Sequence, residues 1–111
     1  MLDELTFRRH SDAAIDSLKQ SLIAVEEDGG FEVEEQNAVL NILFDEPPGK
    51  FVITPNAPVR QIWISALSTS FKLDWSEEAN SFVLPKTGER LKEVVARVIN
   101  EHLGSSSVTL A

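Results

Sequence analysis

The apolar pattern of this 111-residue chain changes its period twice. Over residues 3–27, apolar side chains recur at the three- and four-residue spacing of a helix, with neither Gly nor Pro in between. Over residues 31–84 the period falls to two, in short segments separated by turn residues. Helical spacing returns over residues 89–103 and stops at Gly104. The sequence therefore predicts an α+β fold, a two-layer sandwich with two roughly parallel helices on one face of a twisted antiparallel sheet.

Cap and turn residues set the predicted bounds of these elements. Asp3 is the expected N-cap of the first helix, and Gly29-Gly30 is expected to end it. Alternation between turn signals predicts six strands. They are residues 31–34, 39–44, 51–53, 59–67, 71–75 and 81–84. Proline-containing turns are predicted at residues 47–49 and 55–58.

The length of the chain fits a single domain. We expect this domain to cover residues 1–104, followed by a short tail over residues 105–111. Val108 and Leu110 give the tail two apolar side chains, which are expected to cover the open end between the helices.

Negative charge is concentrated in the first two-fifths of the chain. Residues 1–46 hold twelve of the eighteen acidic residues but three of the ten Lys and Arg residues. Like charges gathered on one surface repel, so such a surface is typical of a protein that binds cations or a basic partner. We call the ridge that these acids are expected to form the acidic strip. Charge and periodicity assign to it Glu4, Asp12, Asp16, Glu26, Glu27, Asp28, Glu32 and Glu34.

The acidic strip has two interpretations. Carboxylate oxygens are hard donors that suit divalent and trivalent cations, and a shallow array of them predicts weak, multivalent and poorly selective binding. The other interpretation is a solvent-exposed, salt-bridged helix face. Arg8 and Arg9 lie four and three residues before Asp12, and Lys19 lies three residues after Asp16.

Composition excludes several classes of site and partner. The chain has no cysteine, so it forms no disulfide, thiolate zinc site or cysteine-ligated iron–sulfur cluster. A sequence pI near 4.6 argues against binding to nucleic acid or to an anionic membrane. No apolar run reaches the ~20 residues of a membrane span. Residues 1–5 resemble neither a signal nor a transit peptide, so we expect a cytoplasmic protein, or a mitochondrial-matrix one if a eukaryotic chain has been processed.

Signatures of enzymes are missing from the sequence. Gly29-Gly30 and Gly49 do not make a phosphate-binding loop. His10 and His102 fall near the apolar stripes of the two helices, so we expect both to be packed rather than catalytic. The paired carboxylates are expected on open surface, where nothing tunes their pKa values for acid–base work. We therefore predict that the chain is not an enzyme.

One strand carries a tryptophan on an unexpected side. If Ile62 and Ile64 face the helices, then Gln61, Trp63 and Ser65 face away from them. A bare indole forgoes about 4–6 kcal/mol of gross burial, taking ~150–250 Å² at about 25 cal/mol per Å². Two interpretations stay open: neighbouring side chains cover Trp63, or Trp63 is a docking anchor for a partner.

The other tryptophan, Trp75, stands beside Asp74 at the end of a predicted strand. We predict that it is structural.

The element order, the acidic first helix and the segment Gln61-Ile62-Trp63-Ile64-Ser65 resemble the frataxin family, called CyaY in bacteria. The resemblance covers about residues 2–104. It includes Gly49-Lys50-Phe51-Val52-Ile53 followed by Pro58, and Lys72-Leu73-Asp74-Trp75 in a later strand. It implies a sandwich with both helices on one sheet face, weak binding of iron, and docking on the cysteine desulfurase–scaffold complex that builds iron–sulfur clusters.

The resemblance also implies roles for residues that match by position. Asp3, Glu4, Asp12, Asp16 and Glu32 match positions of the family's acidic ridge, which adds Asp3 to the acidic strip. Glu26, Glu27, Asp28 and Glu34 extend the strip by charge alone. Four further residues match positions that meet the partner or lie near it. They are Arg60, Gln61, Trp63 and Lys72.

The chain departs from the family pattern in three places. Residues 19–24 lack acids that family members usually carry there, which leaves the iron stoichiometry open. Residues 65–70 replace a loop that contains Pro and Gly. Phe82 stands where another tryptophan is frequent.

The leading hypothesis is a non-enzymatic, iron-binding regulator of iron–sulfur cluster assembly, which we predict to be a monomer that oligomerises with iron. One alternative is an iron oxidase that stores its product in oligomers. The second is an acidic interaction module that does not use iron. The sequence does not indicate whether the regulator speeds or slows cluster assembly.

Overall fold

The computed structural model describes residues 3–45, 48–67, 69–104 and 108–110, with the backbone alone at residues 28 and 29. The chain forms two helices on one face of a six-stranded antiparallel sheet, which confirms the predicted fold. The strands follow one another across the sheet in chain order. The elements are α1 (Glu4–Gly29), β1 (Phe31–Gln36), β2 (Val39–Phe44), β3 (Gly49–Asn56), β4 (Gln61–Ala66), β5 (Thr69–Ser76), β6 (Ser81–Val83) and α2 (Leu91–Leu103).

α1 begins after its predicted N-cap, and the predicted pair Gly29-Gly30 ends it. The Asp3 carboxylate accepts the Thr6 backbone N–H at 2.7 Å and so caps the first turn. Gly30 adopts a left-handed conformation with φ 71°, and its N–H donates to the Glu26 carbonyl. The helix runs two residues beyond the predicted end at Glu27, as far as Gly29.

The turn between β3 and β4 differs from the prediction. β3 continues through Pro55 to Asn56, whereas the sequence predicts a turn there. Ala57–Val59 form a short 3-10 helix with Pro58 inside it, so the predicted start of β4 at residue 59 is wrong. Pro58 has a fixed φ and no N–H, which suits the first turn of a helix better than a strand. Arg60, with φ 56°, ends this turn.

The core lies between the helices and one face of the sheet. Phe7, Leu18 and Leu22 of α1 are fully buried, as are Val95 and Ile99 of α2. The strands contribute the alternate residues of the inner face, as their period of two predicts. Those buried strand residues are Phe31, Leu40, Ile42, Phe44, Phe51, Ile53, Ile62, Ile64, Ala66, Leu73 and Phe82.

The described part of the tail packs against the domain. The Asn100 side chain donates to the Val108 carbonyl and accepts the Val108 N–H, both at 3.0 Å. Val108 is buried, and Leu110 lies in a groove between the helices with Ala14 and Leu91. This agrees with the position predicted for Val108 and Leu110, while residues 105–107 and 111 lie outside the described residues.

Candidate functional site

Two of the three acids of β1, Glu32 and Glu34, face away from the helices. Phe31 is buried and Val33 packs against the core, so the alternation of the strand exposes Glu32 and Glu34 on the outer face. On α1, Asp12 and Asp16 lie one turn apart on the exposed side of the helix. The structure therefore places these four residues on the surface, as predicted.

Two contacts join the second half of α1 to the edge strand β1. The Glu26 carboxylate accepts the Val33 N–H at 3.2 Å. Lys19 Nζ lies 2.9 Å from Glu35 Oε1, in an ion pair that the sequence does not predict. These contacts bring the end of the helix beside the strand, so one edge of the molecule carries acids from both elements.

Several carboxylates of the acidic strip lack a cationic partner. The helix pairs that the sequence suggests do not form, because Arg8 pairs with Glu4 at 3.4 Å and Lys19 reaches to Glu35. Five exposed acids of the acidic strip make no ion pair within the described part of the chain. They are Asp12, Asp16, Glu27, Glu32 and Glu34.

The acidic strip is divided along α1. Asp16 and Glu26 are ten residues apart, which is roughly 15 Å along a helix axis. Lys19 and the exposed Ile23 occupy the interval, and residues 19–24 hold no acid. Across the described side chains, no three His, Asp or Glu residues group in a way that could hold a metal ion. The strip offers separate carboxylates instead of one enclosed site.

The first two acids of the strip already have structural contacts. Thr6 donates to Asp3, which lowers the pKa of this carboxyl below its usual value, and Arg60 and Arg9 act in the same direction. Glu4 pairs with Arg8. These contacts occupy Asp3 and Glu4, so the uncompensated charge lies further along the helix and on β1. The side chain of Asp28 lies outside the described residues.

The outer face of the sheet carries the predicted tryptophan. Ile62 and Ile64 are buried, so Gln61, Trp63 and Ser65 face away from the helices as predicted. The register of β4 with β5 sets Lys72 directly opposite Trp63. The register of β4 with β3 sets Thr54 on its other side.

The indole of Trp63 is half-buried, since its neighbours cover part of it. Lys72 Nζ lies 4.9 Å from the ring centroid, in a cation–π contact. The indole N–H donates to Gln61 Oε1 at 2.9 Å, and Gln61 Nε2 donates to Asp74 Oδ1 at 2.9 Å. The structure thus joins three predicted partner residues and adds Asp74, which the sequence analysis missed.

The fourth predicted partner residue, Arg60, belongs to the turn before β4. Its guanidinium donates to the Ala57 carbonyl, and its backbone ends the 3-10 helix. Asp3, at the start of α1, lies within reach of its charge. Arg60 is therefore next to Gln61 in sequence, and its guanidinium contacts the turn before β4.

The histidines and the second tryptophan are packed, as predicted. The His10 ring stacks on Trp75, with centroids 3.9 Å apart and planes 13° apart. His102 lies 4.5 Å from Phe44 and 5.7 Å from Phe51, measured between ring centroids. Trp75 faces the helices and packs against the core, where its structural role is confirmed.

Neither helix in the described ranges combines the length and apolar character needed to cross a membrane.

Comparison with known proteins gives one family. The model of the frataxin-like domain matches residues 1–105. The iron–sulfur cluster assembly protein CyaY of Pseudomonas fluorescens SBW25 is 32% identical over 93 residues, covering 82% of this chain and 84% of that protein. The protein of the same name from Azotobacter vinelandii is 33% identical over 92 residues, covering 81% and 83% of the two chains.

Solved structures show the same fold. A frataxin from Psychromonas ingrahamii superposes with a TM-score of 0.78 at 17% identity, covering 98% of this chain and 96% of that one. Yeast frataxin gives a TM-score of 0.69 at 22% identity, covering 89% and 81%. At these identities the superpositions support the architecture alone.

Proposed function

Since this chain belongs to the frataxin-like family, which matches residues 1–105, we propose that it is an iron-binding regulator of iron–sulfur cluster assembly. Its relatives from P. fluorescens and A. vinelandii are named as iron–sulfur cluster assembly proteins. The observation that carries the proposal is the set of exposed carboxylates without cationic partners on α1 and β1. The same molecule carries a second cluster on the outer face of the sheet, formed by Trp63, Gln61, Lys72 and Asp74.

Iron is bound by the carboxylates of the acidic strip. Asp12 and Asp16 supply oxygens from adjacent helical turns, and Glu32 and Glu34 supply them from alternate positions of β1. Oxygen donors on an open surface leave most of the hydration shell of a cation in place, so binding is weak and exchange is fast. The formal net charge of −8 adds a long-range attraction for cations and for basic protein surfaces.

The protein partner is the cysteine desulfurase–scaffold complex, and it meets the outer face at Gln61, Trp63 and Lys72. Partly exposed tryptophan is among the residues that contribute most to protein–protein affinity. Trp63 reaches the partner with its ring already held by Gln61 and Lys72, so little side-chain freedom is lost on docking.

Iron binding is tested by titrating Fe²⁺ without oxygen and following backbone resonances by NMR. We expect broadening around Asp12, Asp16, Glu32 and Glu34. The double variants Asp12→Asn/Asp16→Asn and Glu32→Gln/Glu34→Gln each lose the broadening at their own positions. A matched control, Glu77→Gln/Glu78→Gln, removes the same charge from the exposed β5–β6 turn and leaves the titration unchanged. The same Fe²⁺-induced broadening in all three variants would contradict iron binding at the acidic strip.

Docking is tested by calorimetry with the purified desulfurase–scaffold complex. Trp63→Ala is expected to weaken binding by about 30-fold, the effect of losing roughly 2 kcal/mol at a hot spot. Ser70→Ala changes another exposed residue of the outer face and serves as the control. Native affinity in Trp63→Ala would remove this face from the proposal.

The proposed role is binding and regulation without turnover of iron. Oxygen consumption is measured while Fe²⁺ is added in excess over the protein. We expect the same oxygen consumption with and without the protein. Additional consumption at each addition of Fe²⁺, seen only when the protein is present, would instead support the iron oxidase alternative.

A further inference from the structure

We propose that Asp74 is the positioning residue of the outer-face docking surface: it orients the amide of Gln61, and Gln61 in turn holds the indole of Trp63. The inference rests on the proposed function, because it concerns the surface that meets the desulfurase–scaffold complex. It concerns the free protein as well, so it can fail separately from the docking itself.

The three side chains form one directed chain of hydrogen bonds. The indole N–H can only donate, and an ionised carboxylate can only accept. Gln61 lies between them and is in contact with both, so its amide must present Oε1 to Trp63 and Nε2 to Asp74. Both contacts are 2.9 Å long. Asp74 therefore decides which way the Gln61 amide points.

The register of the sheet makes this arrangement local and rigid. Gln61 and Asp74 are directly opposite each other on β4 and β5, and Trp63 and Lys72 form the next outer-face pair. Asp74, Gln61 and Trp63 are all half-buried. The indole is held at two places, at its N–H by Gln61 and over its ring by Lys72.

Removal of the Asp74 carboxylate would free the amide to turn over. A turned amide would face the indole with its NH₂ group, which is a second donor and forms no hydrogen bond with an N–H. The indole would then keep its contact with Lys72 but lose the contact that fixes its rotation. Ordering it again on docking would weaken affinity by roughly two- to tenfold, the usual range for immobilising one side chain.

A direct contact between Asp74 and the partner would give a different pattern. Asp74→Asn removes the charge but keeps an oxygen that can accept from Gln61. Positioning predicts that Asn restores both the orientation of the indole and the affinity. A direct charge contact predicts that Asn binds as weakly as Ala.

The first measurement is made on the free protein by heteronuclear NMR of the two indole N–H groups, with Trp63→Phe used for assignment. In Asp74→Ala, the Trp63 N–H is expected to shift upfield and to exchange faster with water. The core-facing Trp75 N–H keeps its exchange rate. In Asp74→Asn and in the charge control Glu77→Ala, the Trp63 N–H is expected to keep its native chemical shift and exchange rate. Unchanged protection of the Trp63 N–H in Asp74→Ala would overturn the proposal.

The second measurement is the affinity of the same variants for the desulfurase–scaffold complex, at a temperature where thermal unfolding shows each to be folded. A two- to tenfold loss in Asp74→Ala, restored by Asp74→Asn, is the expected result. A released indole with native affinity would overturn the role of Asp74 in docking. Native affinity in Trp63→Ala would instead count against the docking surface itself, so the two failures can be told apart.

Discussion

Gly49 shows how closely one residue can be fitted to its neighbours in this domain. A Cβ at this position would lie 2.9 Å from His102 Cε1 and 3.1 Å from Leu67 Cδ2. His102 is packed against the rings of Phe44 and Phe51, so it has little room to move away. The start of β3 and the end of α2 can therefore approach only because this residue has no side chain.

We predict that Gly49→Ala lowers the free energy of unfolding by about 1–3 kcal/mol, the usual cost of overpacking a closely packed site. Urea unfolding measures the change. Lys50→Ala, at the exposed neighbouring position, is the control and should stay within about 0.5 kcal/mol of the native protein. A Gly49→Ala variant as stable as the control would show that His102 moves aside freely.

Trp63 shows how far single residues can be predicted from the sequence. Its face of the sheet follows from the alternation of Ile62 and Ile64, and the structure confirms it. Its contact with Lys72 depends on the register between β4 and β5, which the alternation does not fix. Asp74 was missed for the same reason, although its position opposite Gln61 would have been a signal once the register was known.

At the scale of elements, the helices and β2 were the most predictable parts. Their apolar periodicity is long or regular, and caps such as Asp3 and Gly30 mark the helix ends. The turn between β3 and β4 was predicted from its two prolines, but at residues 55–58, whereas the 3-10 helix covers Ala57–Val59. Pro55 is accommodated at the end of β3, so its presence did not mark the start of the turn.

The tail is held on α2 by Asn100, whose amide makes two hydrogen bonds to the Val108 backbone. We predict that Asn100→Ala lowers the free energy of unfolding by about 1–3 kcal/mol, from two hydrogen bonds at about 0.5–1.5 kcal/mol each. Thermal denaturation measures the loss. Asn100→Asp keeps the acceptor and loses the donor, so it should fall between Ala and the native protein. Identical melting of all three would show that the tail adds no stability.

An ion pair between Glu89, just before α2, and Arg97, within it, should make stability depend on pH. Arg97 donates two hydrogen bonds to Glu89, which lowers the pKa of this carboxyl below its usual value of 4.5. A lowered folded-state pKa means that the contribution is present above the unfolded value and is lost as pH falls through the folded one. The pair therefore stabilises the domain at neutral pH and ceases to do so in acid.

We predict that Glu89→Gln melts a few degrees below the native protein at about pH 7, since a partly exposed pair contributes about 0.2–1 kcal/mol. The difference should shrink as the pH falls below 4.5 into the range where the native Glu89 also takes up a proton. Glu101→Gln, which removes the more exposed of the two acids that contact Arg97, should have a smaller effect. A difference that persists unchanged in acid would contradict an electrostatic origin.

At the scale of the whole molecule, the sequence predicted that Asp12, Asp16, Glu32 and Glu34 are exposed, but not how the acids pair. The composition of residues 1–46 was sufficient to predict a negative surface. Ion pairs between distant segments, such as Lys19 with Glu35, are set by how α1 lies against β1, and helix spacing does not contain that information. The division of the acidic strip into two parts follows from this pairing and from the missing acids of residues 19–24.

This charge distribution predicts that association with the desulfurase–scaffold complex depends on salt. Raising the ionic strength from about 0.05 M to about 0.5 M shortens the Debye length to a few ångströms and should slow association. Asp12→Asn/Asp16→Asn should flatten this dependence, whereas Trp63→Ala should mainly speed dissociation. Surface plasmon resonance measures both rates. An association rate that does not change with ionic strength would contradict electrostatic steering by the acidic strip.

Cluster assembly on the purified scaffold tests the central claim most directly, with the desulfurase, cysteine and Fe²⁺ supplied. The initial rate is measured with and without one equivalent of this chain, and with the Trp63→Ala and the Asp12→Asn/Asp16→Asn/Glu32→Gln/Glu34→Gln variants. We predict that the native chain changes the rate, and that each variant returns it toward the rate measured without the chain. A native chain that leaves the rate unchanged at this ratio would contradict the account.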